Sequence, residues 1–245
     1  MIVTAIDNPL IKDLTALHDA SGRRQVGAFL VEGRRAIAGL LTAGWKPLQL
    51  CVRQGEDVPT DWPAVVTLGE RAAAKASTAS TPSGYLAVFA IPEHGPVDRP
   101  AGGLVLAGVS DPGNLGTLLR TAAAFAVPQV VCIGGADPFG PKVVQASAGA
   151  IAAIRLHRAG WSDLTGGAVL TALVPRGGVA PAALSAGCRW LVVGGEADGI
   201  PSDGLAACVD RLTLPMPGAA VESLNAAVAG AIALWEVFAR PAAGR

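Results

Sequence analysis

The chain has 245 residues, of which 51% are hydrophobic and 16% charged, which excludes a disordered polymer, since that needs few apolar groups and a high net charge. Nineteen basic and nineteen acidic side chains cancel, so no global field announces a polyanion partner and any nucleic-acid contact is local. The length suits one large domain or two modest ones.

From Asn8 the apolar residues Leu10, Leu14 and Leu17 recur at helical spacing; "GAFLVEG" then reads as a short strand and "RRAIAGLLTAG" as a helix stopped by Gly44. "LQLCV" and "AVVTL" are strand-like, and "YLAVFAI" follows the loop "STASTPSG" as a buried strand. This predicts a small α/β domain over 1–92. The stretch "PEHGPVDRPAGG" has linker composition and puts a boundary at 93–103. Beyond it, "LVLAGV", the turn and helix of "DPGNLGTLLRTAAAFAV", and "QVVCI" form a β-α-β unit. "AVLTALV", "RWLVVGG" and "RLTLPM" follow, alternating with Ala-rich segments, so a parallel sheet covered by helices is expected over 104–245.

The apolar run "AAVAGAIALW" from Ala226 is ten residues long, well short of the roughly 20 that span a bilayer. It reads as a core helix with Leu224, Val228, Ile232 and Trp235 on its apolar face. The N-terminus lacks a basic stretch followed by an apolar one, so no export signal is read and a cytoplasmic protein without membrane contact is expected. Cys51, Cys132, Cys188 and Cys208 lie far apart with no C-x-x-C pair and no histidine cluster. That spacing argues against a disulfide framework and against zinc, so reduced buried thiols and no metal are expected.

Ligands of open parallel α/β sheets collect at the carboxyl ends of the strands, and three such ends here are unusual. In the first, Asn114 sits where a helix N-cap would. Arg120 rises from a face otherwise made of small or uncharged residues, with no carboxylate three or four positions away, and is available to an external anion. Gly108 and Gly113 have the spacing of a phosphate loop, but Asn114-Leu115 stand where Lys and Ser or Thr are needed, and no G-x-G-x-x-G follows a strand. Phosphate-loop ATPases and NAD-dependent enzymes are therefore poor fits. The second end, "LVVGGEADGIP", places Glu196 after Gly194-Gly195, where the backbone can approach a ligand. The third, "LTLPMPGAAVESLNAAVAGAIALWE", enters its helix through Ser223-Leu224-Asn225, with Ser223 as a candidate cap.

In order and spacing, "DPGNLGTLLRTAAAF", "PKVVQASAGA", "LVVGGEADG" and "LPMPGAAVESLNAAVAGAIALWE" resemble the SpoU/TrmH family of RNA ribose 2′-O-methyltransferases, part of the SPOUT superfamily, over residues 104 to 239. "NPLIKDLTAL", "GAFLVEGRRAIAGLL" and "STPSGYLAV" resemble the small ribosomal-protein-like substrate-binding domain of many members. The resemblance implies a deep trefoil knot, a homodimer with active sites at the subunit contact, and S-adenosyl-L-methionine as methyl donor. It implies an RNA substrate, ribosomal RNA ahead of tRNA, with a catalytically idle RNA-binding relative as the alternative. It assigns catalysis to Asn114, Arg120, Glu196, Ser223 and Asn225. Cofactor binding falls to Thr171, Ala172, Leu173, Gly194, Gly195, Glu196, Leu214, Met216, Ser223 and Leu224. RNA contacts are expected from Lys12, Arg23, Arg24, Arg34, Arg35 and Arg120. Two places depart from the family's usual pattern: Ala197-Asp198 add a Cβ and a negative charge to the second motif, and Gln145 stands where arginine is common.

Overall fold

The computed structural model describes residues 2–184, 189–218 and 222–239; Cys188 and residues 219–221 of the third motif lie outside them. The first elements are β1 (Ile2–Val3), α1 (Pro9–Ala16), α2 (Ala20–Val26), β2 (Ala28–Glu32), α3 (Arg34–Thr42), β3 (Pro47–Arg53), β4 (Val66–Leu68), α4 (Glu70–Ala76) and β5 (Tyr85–Ala90). There follow β6 (Gly103–Ala107), α5 (Pro112–Ala124), β7 (Gln129–Ile133), α6 (Pro141–Ser147), β8 (Arg155–Arg158) and β9 (Leu170–Leu173). The chain ends with β10 (Trp190–Gly194), α7 (Ser202–Ala207), β11 (Asp210–Leu212) and α8 (Ala226–Leu234). Two units form: Met1–Glu93 with Phe139–Ala152, and His94–Pro138 with Ala153–Arg245.

In the first unit the sheet order is β1-β4-β3-β5-β2, with β5 antiparallel to both β3 and β2. Helix α1 starts at Pro9, where proline's fixed φ suits the first helical position, and the Asn8 side chain accepts the Leu10 N–H at 2.9 Å. Its Ile11, Leu14 and Leu17 meet Leu30, Cys51 and Leu86 of the sheet and Ala72, Ala73 and Ala76 of α4. The edge strand β2 is buried from Ala28 to Val31, which requires cover on both faces. The second face is covered by aromatics: Phe139 has its ring centroid 5.1 Å from that of Phe29, with Trp45 and Phe89 at 6.1 and 6.3 Å. A segment from the second half of the sequence thus completes this unit.

Arg23 corrects an expectation. It is 4% exposed, and its guanidinium Nη1 donates to the Leu17 and His18 carbonyls at 2.8 and 2.9 Å, satisfying acceptors where α1 ends. A side chain so enclosed has a structural task and does not reach RNA. Arg23→Ala is expected to destabilise the protein by about 1–3 kcal/mol through the orphaned carbonyls. Thermal unfolding measures that loss, and RNA affinity is expected to stay unchanged.

The second unit is a parallel sheet of order β11-β9-β10-β6-β7-β8, as the alternation of apolar runs predicts. Val105, Val131, Leu170, Trp190 and Val192 lie in its core. Strand β6 is central: β7 and β8 are added on one side, and β10, β9 and β11 occupy the other. The order reverses between β6 and β10, so the carboxyl ends of these two strands are where a ligand of an open α/β sheet is expected.

Helix α8 buries its small side, Ala227, Gly230 and Ala233, with Leu234. A Cβ at Gly230 would stand 2.4 Å from the Leu118 Cδ2 on α5, so glycine is what lets the two helices meet. This reverses the expected core face: Val228, Ile232 and Trp235 are 49%, 42% and 46% exposed. Trp235 keeps a ring contact with Phe125 at 5.7 Å. Burial pushes the thiols of Cys51 and Cys132 up to about 12 and that of Cys208 to about 11, so all three stay protonated near neutral pH. Among the described residues no helix is long and apolar enough to cross a membrane, and no group of three or more His, Cys, Asp or Glu is gathered to hold a metal ion.

Candidate active site

The cap of α5 is Asp111, not Asn114: its Oδ1 accepts the Asn114 N–H at 2.7 Å. The signal was present in Pro112, which belongs at the first helical position and so puts the cap one residue earlier. Asn114 is thereby held by its backbone in the first turn while its side chain is released. Its Nδ2 donates to the Glu196 Oε1 at 2.6 Å, and its Oδ1 accepts from the Asn225 Nδ2 at 3.1 Å. Asn225, rather than Ser223, caps α8, accepting from the Ala227 and Val228 N–H groups at 2.9 and 3.2 Å. Asparagine ranks with serine as a cap, so composition alone does not choose between them.

The loop after β10 is shaped by its glycines. Gly195 donates to the Ala107 carbonyl at 2.9 Å, and Gly195 and Gly199 bond each other in both directions at 3.2 and 3.1 Å. A Cβ at Gly195 would lie 2.4 Å from the Gly108 carbonyl oxygen. The left-handed backbone that this turn requires falls on Gly199, φ 66°, and not on Ala197, which is why the extra Cβ at 197 is accommodated.

These loops border a cavity of about 640 Å³, within the few-hundred to ~1,000 Å³ range of small-molecule sites. Of the expected cofactor residues, Leu173, Gly194, Gly195 and Glu196 line it from β9 and β10, and Leu214, Met216, Ser223 and Leu224 from the third motif. Thr171 and Ala172 do not: both are fully buried within β9, between β10 and β11, and only the strand's last residue reaches the cavity. Val174, Pro175, Asp198, Ile200 and Leu205 also line it. Only their adjacency to the motifs would have found them. Glu196 and Asp198 bring carboxylates, and no Lys or Arg is among the described lining residues.

Arg120 is exposed on α5, bonds no described side chain, and does not line the cavity. Six residues separate it from Asn114, a rotation of about 240° and a rise of about 9 Å on an α-helix, so the two side chains leave α5 on different faces. In the first unit Lys12, Arg24 and Arg35 are exposed, as is Gln145 on α6. Arg34 pairs with the Asp57 Oδ2 at 3.3 Å and lies 6.0 Å from the centroid of the Tyr85 ring.

Comparison with known proteins gives this geometry a context. The sequence profile of the SpoU rRNA methylase family matches residues 103–235, and that of the MRM3-like substrate binding domain matches residues 8–87. An uncharacterised tRNA/rRNA methyltransferase of Synechocystis is 31% identical over 96% of this chain and 92% of its own length. The 23S rRNA (guanosine(2553)-2′-O)-methyltransferase RlmP of Bacillus subtilis is 28% identical over 96% of this chain and 98% of its own. Among solved structures, an AdoMet-bound rRNA methyltransferase from Sinorhizobium meliloti superposes with a TM-score of 0.83 at 26% identity, covering 97% of each chain. With the profile spanning more than half its length and relatives matching it almost end to end, the chain belongs to the SpoU rRNA methylase family.

Proposed function

We propose that this protein is an S-adenosyl-L-methionine-dependent methyltransferase acting on a ribose 2′-hydroxyl of RNA, with ribosomal RNA as the substrate class. The observation that carries this reading is the cavity at the carboxyl ends of β9 and β10, lined by the second and third motifs, which Asn114 of the first motif ties together through Glu196 and Asn225. The cavity's character fits the cofactor. Leu173, Leu214, Met216 and Leu224 offer apolar surface to a purine, while Glu196 and Asp198, with no Lys or Arg among the described lining residues, favour a positively charged ligand over a polyphosphate. When bound, S-adenosylmethionine supplies an electrophilic methyl group on a cationic sulfur.

The protein's own task is to hold a ribose hydroxyl in line and to stabilise the charge that grows on its oxygen. Positioning of this kind contributes on the order of 7–11 kcal/mol. Arg120 is suited to grip the adjacent phosphate through two N–H groups and to face the developing oxyanion. Its guanidinium, with a pKa above about 12, is no proton acceptor near neutral pH, so the hydroxyl proton leaves to a phosphate oxygen or water. Because Arg120 and Asn114 leave α5 on different faces, a second copy of the chain supplies Arg120 to each cavity, and the exposed Val228, Ile232 and Trp235 offer apolar surface for that homodimer. Ser223, a lining residue, is placed to meet cofactor or ribose. Threading of the C-terminal chain as a trefoil knot belongs to the same reading, as does a cytoplasmic site of action on ribosomal RNA, and no metal enters it.

Incubation with ribosomal RNA and isotope-labelled S-adenosylmethionine, followed by mapping of ribose methylation, tests the proposal. Label at one defined 2′-oxygen is expected. Label on a base or on protein, or none with any RNA, overturns it. In the same assay Arg34→Glu with Arg35→Glu is expected to weaken RNA binding and to flatten its dependence on salt, because fewer counterions are released from the phosphates.

A further inference from the structure

We infer that Asn225 is a positioning residue that sets the direction of a one-way hydrogen-bond chain ending on Glu196, and that this chain holds Glu196 at the cavity; the inference rests on the methyltransferase reading above. A side-chain amide has an acceptor end and a donor end, and which end faces where is decided by the least negotiable partner. Here that partner is the first turn of α8. The backbone N–H groups of Ala227 and Val228 can only donate, and both point at the Asn225 Oδ1. The Asn225 Nδ2 is therefore left to donate, and it meets the Asn114 Oδ1 at 3.1 Å. Asn114 must then present its own Nδ2 to the next member, the Glu196 Oε1, at 2.6 Å.

Every end in this chain is used in one sense, so the residue types are not interchangeable. Asp would cap α8 about as well as Asn, but of the two only Asn accepts from the helix through its Oδ1 and also donates onward through an NH₂ group. In the wild type Asn114 is kept from turning its amide around by its partners, because its Oδ1 would then face the Glu196 carboxylate and its Nδ2 the Asn225 NH₂. Glu196 receives the last proton on Oε1, while its Oε2 takes no bond from the described residues and is left for a ligand of the cavity. Three segments that lie 82 and 111 residues apart in sequence are thus placed by a direction fixed at one helix terminus.

The direction can be reversed by design, and that is the test. In Asn225→Asp the carboxylate still accepts from Ala227 and Val228, so α8 stays capped and the variant folds. Asn114 then lies between two carboxylates and must turn its oxygen toward one of them. Adding Glu196→Gln supplies an NH₂ group at the far end, so the chain can run the opposite way, from Gln to Asn114 to Asp. Binding of S-adenosylmethionine is measured by calorimetry for wild type, both single variants and the double variant. Asn225→Asp is expected to weaken binding about tenfold or more when residue 196 is glutamate, and by less than about threefold when it is glutamine. Equal penalties in the two backgrounds overturn the inference and leave the methyltransferase reading standing. If wild type itself fails to bind S-adenosylmethionine, the methyltransferase reading falls. The inference is then decided by the unfolding midpoints of the same four proteins: a drop for Asn225→Asp confined to the glutamate background upholds the chain, and equal drops overturn it.

Discussion

Arg120→Ala is expected to lower methyl transfer by about 100- to 1,000-fold, the loss typical of removing one group aimed at a developing oxyanion. Affinity for S-adenosylmethionine is expected to stay within about threefold of wild type. The separation of the two effects follows from position: Arg120 is exposed on α5 and does not line the cofactor cavity of its own chain, and its proposed grip is on the RNA phosphate. Single-turnover kinetics with RNA, beside calorimetry with the cofactor alone, read the two quantities apart. Arg120→Lys is expected to recover little, since an ammonium keeps the charge but loses the planar two-pronged grip on phosphate. A variant that instead lost cofactor binding would move Arg120 from the substrate side of the reaction to the cofactor side.

The second large effect is expected at Gly195. Gly195→Ala places a Cβ 2.4 Å from the Gly108 carbonyl oxygen, a backbone atom that has no rotamer to yield. Either the loop after β6 or the loop after β10 must retreat. Overpacking of this kind costs about 1–3 kcal/mol. Both loops would shift together, because Gly195 also donates to the Ala107 carbonyl and Asn114, which follows the first loop, bonds Glu196 in the second. Affinity for S-adenosylmethionine is expected to fall about tenfold or more, at roughly 1.4 kcal/mol per factor of ten, with a lowered unfolding midpoint. Alanine at 197 is already tolerated in this turn, so the contrast between the two positions isolates the contact with Gly108 from any general dislike of side chains in the loop.

Much of this architecture is legible in local pattern. The runs from Leu104, Gln129 and Trp190 are short, apolar and β-branched, which is what a parallel strand buried on both faces demands. Pro112 marks the start of α5 to the residue. What local pattern cannot report is which neighbour covers a face. Val228, Ile232 and Trp235 share a periodic apolar stripe, yet the side of α8 that packs on α5 is the small one, because close helix approach selects for missing side-chain volume. Arg23 and Arg24 look identical as a pair, and one helical step decides that the first is enclosed among carbonyls while the second meets water. Thr171 and Ala172 read with Leu173 as one ligand-contacting stretch. Strand geometry lets only the end of β9 face the cavity. The tie between Asn114, Glu196 and Asn225 is fully long-range: each residue has a sufficient local reading as a cap or a solvated acid, and only the fold turns the three toward one another.

The covering of Phe29 by Phe139 has a consequence for how the molecule comes into being. A nascent polypeptide lacks that aromatic lid until translation has reached residue 139, so the leading unit emerges with Phe29 of its edge strand covered on that side by Trp45 and Phe89 alone. Its maturation waits for the trailing half, and a transplant of the front end onto another enzyme would need both pieces of it, not the first ninety-odd positions alone.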